Sequence, residues 1–194
     1  MSRHFIEAIK TILLLSALTA GQATLAEEYQ SAQKASPEWR TPVIAEYGEV
    51  RPYPDAAAQL DPEQTYKVVF NVTKAAQDEN DVVPGLERAA RFVNLAGLAK
   101  VPGKNLELVA VLHGPATSAA LGDDAYLKRH QRTNPNRKLI AALNEAGVDV
   151  MVCGQALAHK GFSTTEVAND VTVAVAALTV LAKYQSAGYA LIPN

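Results

Sequence analysis

A single cysteine, Cys153, stands among the 194 residues, so the chain cannot close a disulfide on itself. Aromatic residues are scarce as well, with one Trp, seven Tyr and four Phe, which leaves the core to aliphatic side chains. Neither sign of charge dominates: the formal net charge is −2. The electrostatic footprint of a nucleic-acid binder is therefore missing, and no basic run marks a membrane-surface patch. There is no phosphate loop, no dinucleotide-binding glycine fingerprint and no Gly-x-Ser-x-Gly elbow, and no cofactor is expected. The N-terminal apolar run, Thr11–Ala20, falls well short of the ~20 residues that span a bilayer.

What is present begins with that run. Arg3, His4 and Lys10 precede it and small residues lead to Ala26, which together read as a secretory signal peptide over residues 1–26. The expectation is export to the periplasm, with no membrane span left after cleavage. Residues 27–63 follow as an extended arm. They carry Pro37, Pro42, Pro52, Pro54 and Pro62, which oppose helix, together with Trp39, Tyr47 and Tyr53, which suit an anchored segment better than a free linker. Such an arm would lie along its own domain or along a neighbouring subunit.

Residues 64–194 have a regular pattern. YKVVFNVT (Tyr66–Thr73) and LELVAVLHG (Leu106–Gly114) read as buried strands, and VDVMV (Val148–Val152) as a third. Val171–Val175 and the closing YALIP supply two more. Pro84–Lys100 reads as a helix, with Leu86, Ala89, Ala90, Val93 and Ala96 on its apolar stripe and Glu87, Arg91 and Asn94 on another face. Asn134–Gly147 reads as a helix with Asn134 as N-cap, Pro135 at its first position and Gly147 as its left-handed stop. A further helix is expected over Ala177–Ala187, and the adjacent carboxylates of Asp123 and Asp124 suit a helix cap. Alternation of strand and helix implies parallel crossovers and a three-layer α/β domain with a mainly parallel sheet of about five strands.

Open α/β sheets place chemistry beyond the carboxyl ends of their strands. Those ends hold Asn71, then His113 with Gly114, then Cys153 with Gly154 and Gln155. If the strands are neighbours, an amide, an imidazole and a thiol meet on one edge. Cys153 reads equally as a reactive thiolate, with Gly154 permitting close backbone approach and His159 or Lys160 as local cations, or as a buried inert residue. His113 would serve as base, as thiolate partner, or as a co-ligand of Cys153 for a soft metal. No zinc spacing links His130 or His159 to it, so no metal is assigned. The Asn71-Val72-Thr73 glycosylation pattern falls inside a buried strand.

The segments YKVVFNVT, VLHGPA, NPNRKLIAALNEAGVDVMVCGQAL and YQSAGYALIPN resemble the DsrE/DsrF-like family, in its exported branch, over about Thr65–Asn194. The resemblance implies a flavodoxin-like fold and a homo-oligomer, trimer or hexamer. It also implies a cysteine after the third strand that accepts sulfur as a persulfide, the place that Cys153 occupies. Partners would be a sulfur donor or acceptor protein, or a small sulfur compound. The alternative is a non-enzymatic oligomer that binds a small ligand or partner and keeps a structural cysteine.

Overall fold

The computed structural model describes residues 38–193. The expected signal peptide over 1–26 and the first part of the arm, 27–37, lie outside the described residues. Five strands form one sheet: β1 (Tyr66–Val72), β2 (Leu106–Leu112), β3 (Val148–Cys153), β4 (Thr172–Ala174) and β5 (Ala190–Ile192). Among the described residues, five helices accompany them: α1 (Pro84–Leu98), α2 (Asp123–His130), α3 (Arg137–Glu145), α4 (Gly154–His159) and α5 (Ala177–Ser186). Every strand pair is parallel, in the order β4-β3-β2-β1-β5. This is the three-layer α/β fold that the alternating pattern predicts.

The order explains the layers. From β1 to β4 each crossover steps to the next strand in one direction, and right-handed crossovers then keep the linking helices on one face. The last crossover runs back past β3, β2 and β1, and the same handedness puts α5 on the opposite face. The cores divide accordingly. Phe70, Val72, Leu108, Leu112, Val150 and Val152 pack with Leu86, Val93, Leu139, Leu143 and Leu157 on the multi-helix face. Val69, Val109, Val111, Met151 and Cys153 pack with Ala177 and Val180 of α5 on the other.

The described part of the arm lies on its own chain. Arg40 and Val50 exchange two backbone hydrogen bonds of 2.8 and 2.9 Å, closing a loop whose Ile44 and Val50 are buried. Asn94 of α1 holds that loop. Its Oδ1 accepts from the Val43 and Ile44 amides at 3.0 and 2.9 Å. Its Nδ2 donates to the carbonyls of Ile44, Tyr47 and Gly48 at 3.3, 2.9 and 3.1 Å. The sequence sets Asn94 on a face other than the apolar stripe, and that face is buried at Asn94: the side chain is 0 % exposed, because the arm covers it and takes up its bonding capacity.

Two local readings change. The second long helix begins at Arg137 with Asn136, not Asn134, at its N-cap position, and neither side chain caps it. Both asparagines are buried and satisfy more distant groups. Asn134 Nδ2 donates to the carbonyls of Ala119 and Leu121, while Asn136 Oδ1 accepts from the Val83 amide. Gly147, at φ +85°, does make the left-handed stop. Asp123 and Asp124 form no side-chain cap either; they sit in the first turn of α2, where negative charge opposes the exposed amide dipoles.

Candidate functional site

The three central strands bring the anticipated residues together. Val72, Leu112 and Val152 are in register, so Thr73, His113 and Cys153 stand side by side one step beyond them. Successive residues of a strand alternate between faces. Asn71, His113 and Cys153 thus share the face of Val69, Val111 and Met151, the face that α5 covers.

His113 Nε2 lies 2.5 Å from Asn71 Oδ1. With a carbonyl oxygen as partner the proton sits on Nε2, and Nδ1 remains an acceptor. Burial holds the His113 pKa below its ordinary value of 6.5, so the ring is neutral at pH 7. Gly114 follows at φ +54°, a left-handed turn that suits glycine, and starts the 3-10 segment Gly114–Ala120. Thr117 Oγ1 donates to the Gly114 carbonyl at 2.7 Å and braces that turn. Asn71 is half-buried and engaged with His113.

Cys153 ends β3 and occupies the N-cap position of α4, its Sγ accepting the Ala156 N–H at 3.4 Å. It is 7 % exposed and belongs to the apolar cluster of Val111, Met151 and Ala177, against which Ala156, Ala174 and Ala176 pack. Gly154 allows close backbone approach: a Cβ there would lie 2.9 Å from the Ala174 carbonyl oxygen and 3.4 Å from that of Val175. Gln155 is exposed, and its amide points to the Val175 carbonyl at 3.4 Å, bracing the connection from β4 to α5 more than lining the thiol.

The two local cations named for Cys153 are not beside it. His159 and Lys160 lie at the far end of α4, a helix of six residues, which at 1.5 Å rise per residue puts them roughly 9 Å along the axis. Among the described residues, no group of three or more His, Cys, Asp or Glu is placed to hold a metal ion.

The opposite edge of the same face carries a polar network that the sequence pattern did not single out. Tyr189 donates to Glu107 Oε2 at 2.9 Å, and Lys67 Nζ lies 3.1 Å from the same oxygen. The bond from Lys67, then that from Tyr189, lowers the Glu107 pKa. Burial, then the bond to Glu107, pushes the Tyr189 hydroxyl up to about 12. Its place at the amino ends of the strands, away from Cys153, makes this an anchor for the chain between α5 and β5. Only the parallel register reveals it, since Lys67 and Glu107 are paired positions of β1 and β2.

The fold and this edge define a class: an open, parallel α/β domain with a cysteine closing its third strand beside a neutral histidine. The chain belongs to the DsrE/DsrF-like family, which it matches over residues 66–193. Among solved structures it is similar to the ychN protein from E. coli, at 18 % identity over 67 % of this chain and 100 % of that one, with a TM-score of 0.49. It is also similar to a protein of unknown function, MTH1491, from Methanobacterium thermoautotrophicum, at 19 % identity over 66 % of this chain and 99 % of that one, TM-score 0.47. No curated protein matches the chain.

Proposed function

We propose that this protein is an exported carrier of sulfane sulfur, held as a persulfide on Cys153. Membership of the DsrE/DsrF-like family points to sulfur-relay-type work, and one observation carries the reading to a residue. The only cysteine closes β3 at the carboxyl edge, its sulfur already receiving a backbone N–H, in line with the His113–Asn71 pair. The thiol proton goes to His113 Nδ1 or to water. The thiolate attacks a terminal sulfur of an inorganic polysulfide, one S–S bond forms to Cys153 and one breaks. The electron pair leaves with a polysulfide one sulfur shorter, so no oxidant is consumed. The resulting persulfide anion accepts the Ala156 N–H as the thiol sulfur does. Gly154 keeps the site compact, and Gly114 sets the turn that follows His113.

Export through residues 1–26 to the periplasm and assembly as a trimer or hexamer belong to the same reading. Val173 of β4, Val175 of the connection and Leu178 of α5 are exposed apolar residues, and they support a subunit contact there. Intact-mass spectrometry after incubation with polysulfide tests the chemistry. The expected result is one added sulfur on the wild type and none on Cys153→Ser; no adduct on the wild type overturns the reading.

A second reading is favoured by the 7 % exposure of Cys153. A thiol buried in that apolar cluster serves equally as a small core residue of a non-enzymatic ligand- or partner-binding oligomer. Native-state labelling separates the two: a working thiol reacts with iodoacetamide while the protein stays folded. A structural one reacts only as the protein unfolds.

A further inference from the structure

A cavity of about 160 Å³ lies between the β1–α1 loop and the end of α2, with Ser118 and Ala119 of the 3-10 segment also lining it. That volume suits a ligand of about six heavy atoms, since an engineered cavity of about 150 Å³ takes up benzene. Tyr126 and His130, one turn apart on α2, both line it and stack with ring centroids 4.3 Å apart. Tyr126 is 7 % exposed, yet its hydroxyl has no hydrogen-bond partner among the described residues. Burial pushes that hydroxyl above its ordinary 10.0, and the charges of Arg132 and Glu79, which also line the cavity, both act on it. The hydroxyl therefore faces the cavity. His130 Nε2 is buried beside it and is likewise unpartnered. Nearly all buried polar groups find a partner, so two unpaired atoms in one small space point to a ligand.

The charged rim decides which ligand completes them. Arg132 is engaged by Glu79, at 2.5 Å from its Oε2. Asp78 Oδ1 accepts from the amide and side chain of Asn80, and no cation pairs with this carboxylate among the described residues. Asp81 has neither a cation nor a donor on its carboxylate among the described residues. Three carboxylates against one guanidinium leave the lining with an excess of two negative charges, His130 counted neutral. Among the described residues no three ligating side chains gather for a metal ion, which leaves an organic cation.

We propose that this cavity binds a small amino alcohol, with its primary ammonium among Asp78, Glu79 and Asp81 at the rim and its hydroxyl between Tyr126 and His130 inside. The charge excess selects a cation over an anion. The hydroxyl end follows from the two unpaired atoms: a hydroxyl both donates and accepts, so it satisfies the imidazole nitrogen and the phenol together. None of these residues takes part in the proposed sulfur chemistry, so the two readings stand or fall separately.

Isothermal titration of the full-length protein near neutral pH with 4-aminobutanol, butylamine and 4-hydroxybutanoate tests it. The amino alcohol should saturate one site per chain and bind about fivefold tighter than butylamine, the worth of one hydrogen bond. The anion should not bind. Tyr126→Phe, which keeps the ring stack, should erase the advantage over butylamine. Asp81→Asn, at an exposed position, should weaken both amines about tenfold, with circular dichroism confirming that each variant is folded. Four results overturn the proposal: no saturable binding of the amino alcohol by folded wild type, equal binding of 4-hydroxybutanoate, an advantage over butylamine that survives Tyr126→Phe, or unchanged affinity in Asp81→Asn.

Discussion

Asn94→Ala removes the clamp that holds the arm to α1. The wild-type side chain makes five hydrogen bonds to the arm, two as acceptor and three as donor. Truncation leaves the buried Ile44 amide and the part-buried Val43 amide without their acceptor. An orphaned buried group costs about 1–3 kcal/mol. The three carbonyls lose less, because an oxygen with two lone pairs is more easily satisfied elsewhere. The sum is about 3–5 kcal/mol if the arm stays docked, against a total stability of about 5–15 kcal/mol for a domain. At about 2–4 °C per kcal/mol for a chain of this size, Tm should fall by roughly 6–20 °C. If the arm instead detaches, water pairs the orphaned groups and Ile44 and Val50 lose their burial. Tm then falls less, and the arm becomes a proteolytic target. Urea denaturation followed by circular dichroism, with limited proteolysis in parallel, distinguishes these outcomes. A loss below about 1 kcal/mol with an unchanged cleavage pattern refutes the assignment of Asn94 as the clamp.

Gly154→Ala sets a Cβ against the Ala174 carbonyl at 2.9 Å and must push β4 from β3, costing about 1–3 kcal/mol; faster amide exchange at Thr172–Ala174 is the readout, and unchanged exchange contradicts it. The lowered pKa of His113 has a definite sign. Above 6.5 the ring is neutral in both states, but as pH falls through 6.5 the unfolded chain takes up a proton that the folded chain refuses, so stability declines. His113→Gln should flatten the part of the urea-midpoint profile between pH 7.5 and 5.5 that this group contributes; an identical slope in the variant refutes the linkage. Gly114→Ala places a side chain at φ +54° and should cost about 1 kcal/mol, read as a shifted urea midpoint at constant m; no shift shows that the turn tolerates Cβ.

The elements were legible because their physics is local. β1, β2 and β3 are runs of β-branched and aliphatic residues, and Gly147 stops its helix in the left-handed conformation such a stop requires. The carboxyl-edge rule named Asn71, His113 and Cys153 in advance, but their meeting depended on strand order, which no local pattern encodes. The roles of Asn94 and Asn134 were not legible for a related reason, and Asn136 gave no signal at all. Helix period and capping preference are local rules, whereas these three asparagines satisfy backbone groups that lie far away in sequence or belong to a neighbouring element. His159 and Lys160 follow Cys153 closely in sequence, yet the intervening helix carries them away from the sulfur.

Cyanide-labile sulfur per chain, measured after polysulfide exposure and gel filtration, bears most directly on Cys153 as a carrier. The account predicts close to one equivalent on the wild type, released as thiocyanate, and none on Cys153→Ser. No labile sulfur on the wild type, or equal amounts on both proteins, contradicts it.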